Sequence, residues 1–169
     1  SPVPRTRLLI QKMKVSLTLS LVAVLLVPIS SWIVGAISFG TAPLQTPLGV
    51  TFDNTVTFTR LAIMTGYLAL SLFFVAGLAF YLSVRTDAPL GAVGGAVGIT
   101  ILLTILDAIS ALGSIRQWLP AHYTDTWLDA LSTTIDWSQM AKGASYCVMW
   151  GILFYALAVT KFARKDVTS

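Results

Sequence analysis

The sequence predicts an all-α integral membrane protein, with four transmembrane helices and an outer amphipathic helical segment between the third and the fourth. Of the 169 residues, 56% are hydrophobic and only 11% are charged, whereas a soluble domain carries about 25% charged residues. The mean hydropathy is +0.81. Four long windows contain no charged residue, and such runs must satisfy their own backbone hydrogen bonds in lipid, which favours helices. This composition argues against a soluble enzyme and against a disordered tail.

The four charge-free windows are long enough to cross a bilayer, because about 20 helical residues cover the roughly 30 Å hydrocarbon core. They are residues 15–39 (span A), 61–84 (span B), 88–106 (span C) and 143–160 (span D). We interpret residues 1–169 as one transmembrane domain. Since the chain starts with Ser1 and no signal peptide precedes span A, we expect it to be a fragment of a longer chain.

Basic residues are distributed unequally between the two sides of the predicted bundle. One side has eight, namely Arg5, Arg7, Lys12, Lys14, Arg85, Lys161, Arg164 and Lys165. The other side has three, namely Arg60, Arg116 and Lys142. Cytoplasmic loops carry an excess of Lys and Arg, so both ends of the chain are predicted to be cytoplasmic. The net charge of +4 then indicates loops that face anionic lipid and not a nucleic-acid site.

The connections between spans differ in kind. Spans B and C are joined by a tight inner turn, with Pro89 at the start of the next helix. The A–B connection, residues 40–60, contains Pro43, Pro47 and Gly49 and is predicted to be an outer loop. The C–D connection, about 107–142, is the longest and is expected to be the most structured.

Residues 122–135 in this connection predict an amphipathic helix. At about 100° per residue the apolar side chains fall on one face; they are Tyr123, Trp127, Leu128, Ala130, Leu131 and Ile135. The polar face holds His122, Asp125, Asp129, Ser132 and Asp136. Two interpretations stay open: a surface helix that seals the outer loop, or a lid over a translocation path in which Trp127, Asp125 and Asp129 line the substrate route. Asp136 and Gln139 have capping-box spacing, so span D is predicted to begin near Asp136.

Asp107 directly follows span C. An acid at a membrane span is a functional-site hypothesis. Two roles are open for it: packing or capping the outer segment at the interface, or taking part in gating or the substrate path. His122, the only histidine, has no cysteine cluster or carboxylate partner at ligand spacing, so neither a metal site nor a catalytic role is predicted for it.

The start of span C is rich in glycine. Gly91 with Gly95, and Gly94 with Gly98, form small-xxx-small pairs that allow helix backbones to approach closely. We predict helix packing for these four residues, with a hinge as the alternative. The stretch lacks the Lys-Ser/Thr of a phosphate loop. The single cysteine, Cys147, excludes an internal disulfide and is predicted to be a packing residue.

Several stretches resemble, in order and spacing, those of the bacterial type-2 ABC exporter permeases. They are the basic segment 4–12, the inner turn Ser-Val-Arg-Thr-Asp-Ala-Pro within 83–92, Leu-Pro-Ala-His-Tyr within 118–123, residues 136–138, and the tail 162–167 with Phe-Ala-Arg-Lys-Asp. The resemblance covers nearly the whole chain. It implies that spans A to D are the third to sixth of six spans, and that the first two are missing.

The resemblance also implies a function. Such a permease would belong to an ATP-driven exporter in the bacterial plasma membrane and would work as two permease copies, or two related halves, with two ABC ATPase subunits. ATP and Mg would bind the ATPase, and this chain would hold no cofactor. Arg5, Arg7 and Lys12 would end a loop that couples to the ATPase, or would contact lipid phosphates. Independently, no P-loop or Walker B pattern occurs in the sequence, so we do not expect this chain to be an enzyme by itself.

The substrate is predicted from the low polarity of the spans. Their main polar groups are Tyr67, Ser71, Thr100 and Thr104, which favours a hydrophobic or amphipathic substrate. The alternative function is a four-span structural or assembly protein without transport activity. A membrane-embedded enzyme is disfavoured, because the sequence shows no paired acids, histidine cluster or nucleophile motif.

Overall fold

The structure, a computed structural model, describes residues 5–40, 42–86 and 88–165. Its elements are, in chain order, α1 (Arg5–Phe39), β1 (Leu44–Gln45), β2 (Thr51–Phe52), α2 (Asn54–Arg85), α3 (Pro89–Ala108), the 3₁₀ helices η1 (Ser110–Trp118) and η2 (Pro120–Leu131), and α4 (Trp137–Lys165). Each of the four α-helices contains a stretch long and apolar enough to cross a membrane. The predicted all-α membrane class is confirmed.

The helices form a bundle in which α2 is central and packs on α4, α3 and α1. Phe80 of α2 forms a buried cluster with Tyr155 and Ala158 of α4, and Met13 of α1 and Phe162 of α4 pack against it. The start of α1 and the end of α4 therefore lie at one end of the bundle, which we call the terminal end. We call the opposite end the cap end, and residues 109–136 the cap segment.

Two further apolar clusters fill the bundle between its ends. The middle one joins α2, α3 and α4 through Phe74, Leu78, Ala96 and Cys147. Cys147 is only 1% exposed, which confirms its predicted packing role. The cluster nearest the cap end joins α2 and α4 to η2 through Tyr67, Ala130 and Met140. The cap segment is thus part of the packed core.

The connection predicted as an outer loop over 40–60 is shorter and partly ordered. A small antiparallel hairpin pairs Leu44 with Phe52; at its turn the Thr46 N–H donates to the Val50 carbonyl at 2.9 Å, and Gly49 has a φ of 76°. Helix α2 begins at Asn54, earlier than the predicted residue 61. The charge at Arg60 does not end the helix, because its guanidinium reaches polar groups of the cap segment.

Helices α3 and α4 both begin where the sequence predicts a helix start. Pro89 occupies the first turn of α3, where its missing N–H costs nothing. In the preceding turn the Ala88 N–H donates to the Thr86 hydroxyl at 3.2 Å; Asp87 lies outside the described residues. At the start of α4 the Gln139 N–H donates to the Asp136 carboxylate at 3.0 Å, so the predicted cap is confirmed.

The outer helical segment predicted at about 122–135 is present, but it spans Pro120–Leu131 and is a 3₁₀ helix, not a helix of about 100° per residue. Ser132 follows as its C-cap, and its hydroxyl donates to the Asp129 carbonyl at 2.7 Å. The sorting of polarity is nevertheless confirmed, since Tyr123 and Ala130 are buried whereas Asp125 is exposed. A 3₁₀ helix turns by about 120° per residue and not by about 100°. The side chains of Tyr123, Ala130 and Leu131 are nevertheless buried against the bundle.

Candidate functional site

One oxygen of Asp107 connects the end of α3 to both halves of the cap segment. His122 Nδ1 of η2 lies 2.7 Å from Asp107 Oδ1, and Arg116 Nε of η1 lies 3.4 Å from the same atom. The Arg116 Nε–H donates to this oxygen, and His122 Nδ1 makes a second hydrogen bond with it. The Asp107 side chain is 19% exposed. The structure thus gives His122 the carboxylate partner that sequence spacing did not reveal, and places Asp107 where the outer segment attaches.

A buried hydrogen bond fastens η2 to α2. The Tyr67 hydroxyl donates to the Tyr123 carbonyl at 2.6 Å, and both residues are buried. Gly143 of α4 makes room for this contact, because a Cβ there would overlap the Tyr67 hydroxyl and stand 2.8 Å from the Tyr123 Cβ. A buried tyrosine hydroxyl usually finds a hydrogen-bond partner, and for Tyr67 the partner is the backbone of the cap segment.

Arg60 fastens the far end of η2 to α2. Its Nη1 donates to the Ala130 carbonyl at 3.3 Å, and its Nη2 donates to the Thr133 carbonyl at 3.2 Å. The guanidinium also lies over the Phe52 ring, 5.1 Å from the ring centroid. One side chain therefore joins α2, the hairpin and the last turn of η2, and it stacks as well as hydrogen-bonds, which only arginine does in this way.

Aromatic rings connect the cap segment to α4. The Trp150 indole N–H donates to the Trp118 carbonyl at 3.0 Å. Tyr146 stacks on Tyr123 at 5.2 Å between centroids and meets the Trp118 ring edge-on at 5.9 Å. Offset and edge-on ring pairs of this kind stabilise a contact by about 0.5–1.5 kcal/mol beyond area burial.

The other residues predicted for the substrate path do not gather around Asp107. Trp127 packs against the cluster of Tyr67, Ala130 and Met140 at the α2–α4 interface. Asp125 is exposed and Asp129 is half-buried. The described partners of Asp107 are the basic groups of Arg116 and His122. Asp107 therefore joins elements of the fold, and Trp127 has a packing role.

Of the four span C glycines predicted for helix packing, only Gly95 lies close to another helix. A Cβ on Gly95 would stand 3.2 Å from the Leu82 side chain of α2, and one on Gly91 would meet Ala88 of its own segment, while Gly94 and Gly98 face open space within the described chain. The tight contact lies between α2 and α4, where a Cβ on Gly77 would stand 2.9 Å from the Gly151 carbonyl oxygen. Gly77 and Gly151 both lie in long apolar runs of the sequence. Neither has a second glycine four residues away, so neither belongs to the pair motif from which helix packing was predicted.

A large apolar groove of about 1150 Å³ separates α1 from α2. Its α1 wall includes Ala23, Val27, Pro28, Ser31 and Gly35, and its α2 wall includes Leu61, Leu68, Leu72 and Ala76. The polar side chains of Gln45, Asn54 and Thr57 line it at the cap end. At the terminal end Met13 and Leu17 of α1 pack against the cluster of Phe80, Tyr155 and Ala158, and the groove lies beyond them, from Ser20 to the hairpin.

The basic residues proposed to couple to an ATPase lie at the terminal end. Arg7 and Lys12 are exposed on the first turns of α1. Arg5 starts that helix, and its side chain lies outside what the structure describes. Across the parts of the chain that the structure describes, no three His, Cys, Asp or Glu side chains come together as a metal site would require.

No protein family, curated protein or solved structure matches this chain. The class of protein is therefore stated from the fold: an all-α membrane protein with four apolar helices, of which α2, α3 and α4 are joined at one end by a packed cap segment.

Proposed function

We propose that this chain is the permease subunit of a bacterial type-2 ABC exporter that moves a hydrophobic or amphipathic substrate across the plasma membrane. A separate ABC ATPase subunit would bind ATP and Mg, and a second permease copy would complete the transporter. The order and spacing of the stretches 4–12, 83–92, 118–123 and 162–167 support this proposal. Basic side chains at the terminal end support a cytoplasmic position for that end, which leaves the cap segment outside.

The observation that carries the proposal is the groove between α1 and α2. Its volume of about 1150 Å³ is slightly above the range for small-molecule sites, about 300–1,000 Å³. Its long walls are apolar, and polar side chains lie only where it meets the cap end and at Ser20, Ser31 and Thr65. A molecule with an apolar chain and one polar end suits such a groove, and it would enter sideways from the lipid.

The hydrogen bonds of the groove's own hydroxyls support an apolar occupant. Thr65 donates to the Leu61 carbonyl at 2.7 Å, and Thr57 donates to the Phe52 carbonyl at 3.4 Å. Because these hydroxyls bond to the backbone of their own chain, they offer little to a polar substrate. A highly charged substrate would have to leave water without compensation, which is costly.

The experiment measures ATP hydrolysis by the full-length protein reconstituted in lipid vesicles with its co-purifying ATPase. We expect a long-chain alkyl phosphocholine to stimulate ATP hydrolysis and glucose to have no effect. Ala23→Trp, which fills the groove from α1, should weaken this stimulation by about fivefold or more, equivalent to about 1 kcal/mol of binding. Val22→Trp is the matched control, because Val22 is exposed on the same helix but does not line the groove. Stimulation by glucose or ions alone, or equal effects of the two variants, would contradict the proposal.

A further inference from the structure

The two halves of the cap segment are attached to the bundle to different degrees. Helix η2 has five buried residues, namely Pro120, Ala121, Tyr123, Ala130 and Leu131. Helix η1 has none. Segments with few buried contacts are the first to open in local fluctuations of a folded protein. The η1 half is therefore the weaker part of the cap segment.

The polar attachments show the same difference. η2 receives the buried Tyr67 hydrogen bond at 2.6 Å and two hydrogen bonds from Arg60. η1 is held to the bundle by the 3.4 Å contact of Arg116 with Asp107 and by the Trp150 indole on the Trp118 carbonyl. The Arg116 side chain is 30% exposed and uses one nitrogen on one oxygen. Solvent-accessible pairs of this kind are weak.

The backbone around η1 offers places where it can rotate. Ile109 before it and Leu119 after it are both extended, with ψ values of 101° and 131°. Gly113 interrupts it with a φ of 53° and a ψ of −128°, a conformation that side chains with a Cβ rarely adopt. Ile109, Gly113 and Leu119 therefore divide η1 into two short pieces, residues 110–112 and 114–118. The second piece contacts Asp107 of α3 and Trp150 of α4.

We propose that η1 is a flap that opens while η2 stays in place, with the Asp107–Arg116 contact as its point of release. When Arg116 leaves, Asp107 keeps its 2.7 Å bond to His122 of η2, so the carboxylate is never left without a partner at the end of an apolar helix. Opening uncovers Asp107 and the rings of Tyr146 and Trp150 between α3 and α4. This behaviour is independent of the proposed transport function, and it can be measured without ATP or substrate.

The test is hydrogen exchange of the full-length protein in lipid nanodiscs. In the native protein we expect amides of residues 110–118 to exchange faster than those of 120–131. Arg116→Gln should accelerate exchange in 110–118 by about three- to fivefold, the effect of losing one weak, partly buried pair, and leave 120–131 unchanged. Arg60→Gln is the matched control, because it removes an arginine of α2 that hydrogen-bonds to the other half of the cap segment and should accelerate only residues near 130–134. Equal acceleration of both halves by Arg116→Gln, or no acceleration, would overturn the proposal.

A second variant keeps the proposal testable if Arg116→Gln fails to reach the membrane. Trp150→Phe removes the indole N–H that donates to the Trp118 carbonyl and keeps a smaller aromatic ring against the middle cluster. We expect it to accelerate the same residues, 110–118, and no others in the cap segment. Unchanged exchange of 110–118 in Trp150→Phe would show that η1 is held by contacts other than the two named here, and the flap would be rejected.

Discussion

The Tyr67 hydroxyl and the Tyr123 carbonyl oxygen are 2.6 Å apart in the buried interface between α2 and η2. A second tyrosine, Tyr155, is also buried, but its hydroxyl has no hydrogen-bond partner within the described residues. Replacing each tyrosine by phenylalanine therefore has a different effect on the structure. At Tyr67 it removes a hydrogen bond that attaches the cap segment. At Tyr155 it removes a hydroxyl that has no hydrogen-bond partner within the described residues.

We predict that Tyr67→Phe lowers the free energy of unfolding by about 0.5–1.5 kcal/mol, because it removes a buried hydrogen bond between α2 and η2. Tyr155→Phe should be neutral or slightly stabilising, since it removes an unpaired polar atom. Steric-trap unfolding in bicelles measures both. A loss for Tyr155→Phe equal to that for Tyr67→Phe would contradict the assignment of the hydrogen bond.

Asp107 provides a second prediction. Asp107→Asn keeps an acceptor for Arg116 and His122 but removes the charge, so we expect a loss of about 1 kcal/mol. Asp107→Ala removes the acceptor as well and should cost about 2 kcal/mol. Thermal unfolding in detergent would measure both losses, and limited proteolysis would monitor the cap segment. If the alanine variant were as stable as the native protein, Asp107 would have no attaching role.

The glycines provide a third prediction. Gly77→Ala should destabilise the α2–α4 contact by about 1–3 kcal/mol, because its Cβ would stand 2.9 Å from the Gly151 carbonyl oxygen. Gly94→Ala is the matched control: it faces open space within the described chain, and alanine is the better helix former by about 1 kcal/mol. Unfolding measurements should therefore rank Gly94→Ala at or above the native protein. The reverse order would show that α3 packs through Gly94.

The terminal end provides a fourth prediction, which rests on the proposed function. The double variant Arg5→Ala/Arg7→Ala should insert normally but weaken substrate stimulation of the partner ATPase, because it removes positive charge from the segment proposed to couple to it. Lys12→Ala should have a similar, smaller effect. Lys161→Ala, at the same end on α4, is the control. If substrate stimulated the partner ATPase equally well in the double variant and in the native protein, Arg5 and Arg7 would have no role in coupling.

The fold class could be predicted because charge-free runs and capping residues are local signals. The four spans were found from their composition, and Asp136 was identified as a cap from its spacing to Gln139, since both depend on neighbouring residues. The 3₁₀ geometry of residues 120–131 could not be predicted from periodicity, because local patterns do not show tertiary contacts such as those of Tyr67 and Arg60 with the backbone of η2.

The site was only partly predictable for the same reason. Asp107 was identified from its place after an apolar run, but its partner His122 lies 15 residues away along the chain, and no sequence pattern encodes that distance. The glycine pairs in span C satisfied a packing motif, yet the closest helix contact joins Gly77 to Gly151, far apart in sequence. Contacts between distant segments depend on how whole helices cross, which spacing within one helix does not specify.

The central claim is that this chain is the permease of an ATP-driven exporter. The most direct measurement is to purify the tagged full-length protein from its native membrane in mild detergent and to identify its partners by mass spectrometry. The account predicts a stoichiometric subunit with a P-loop, whose ATP hydrolysis rises with amphiphilic substrates. A preparation that is folded, as judged by protection of residues 120–131 from hydrogen exchange, but contains no ATPase would contradict the claim and favour a four-span structural or assembly protein.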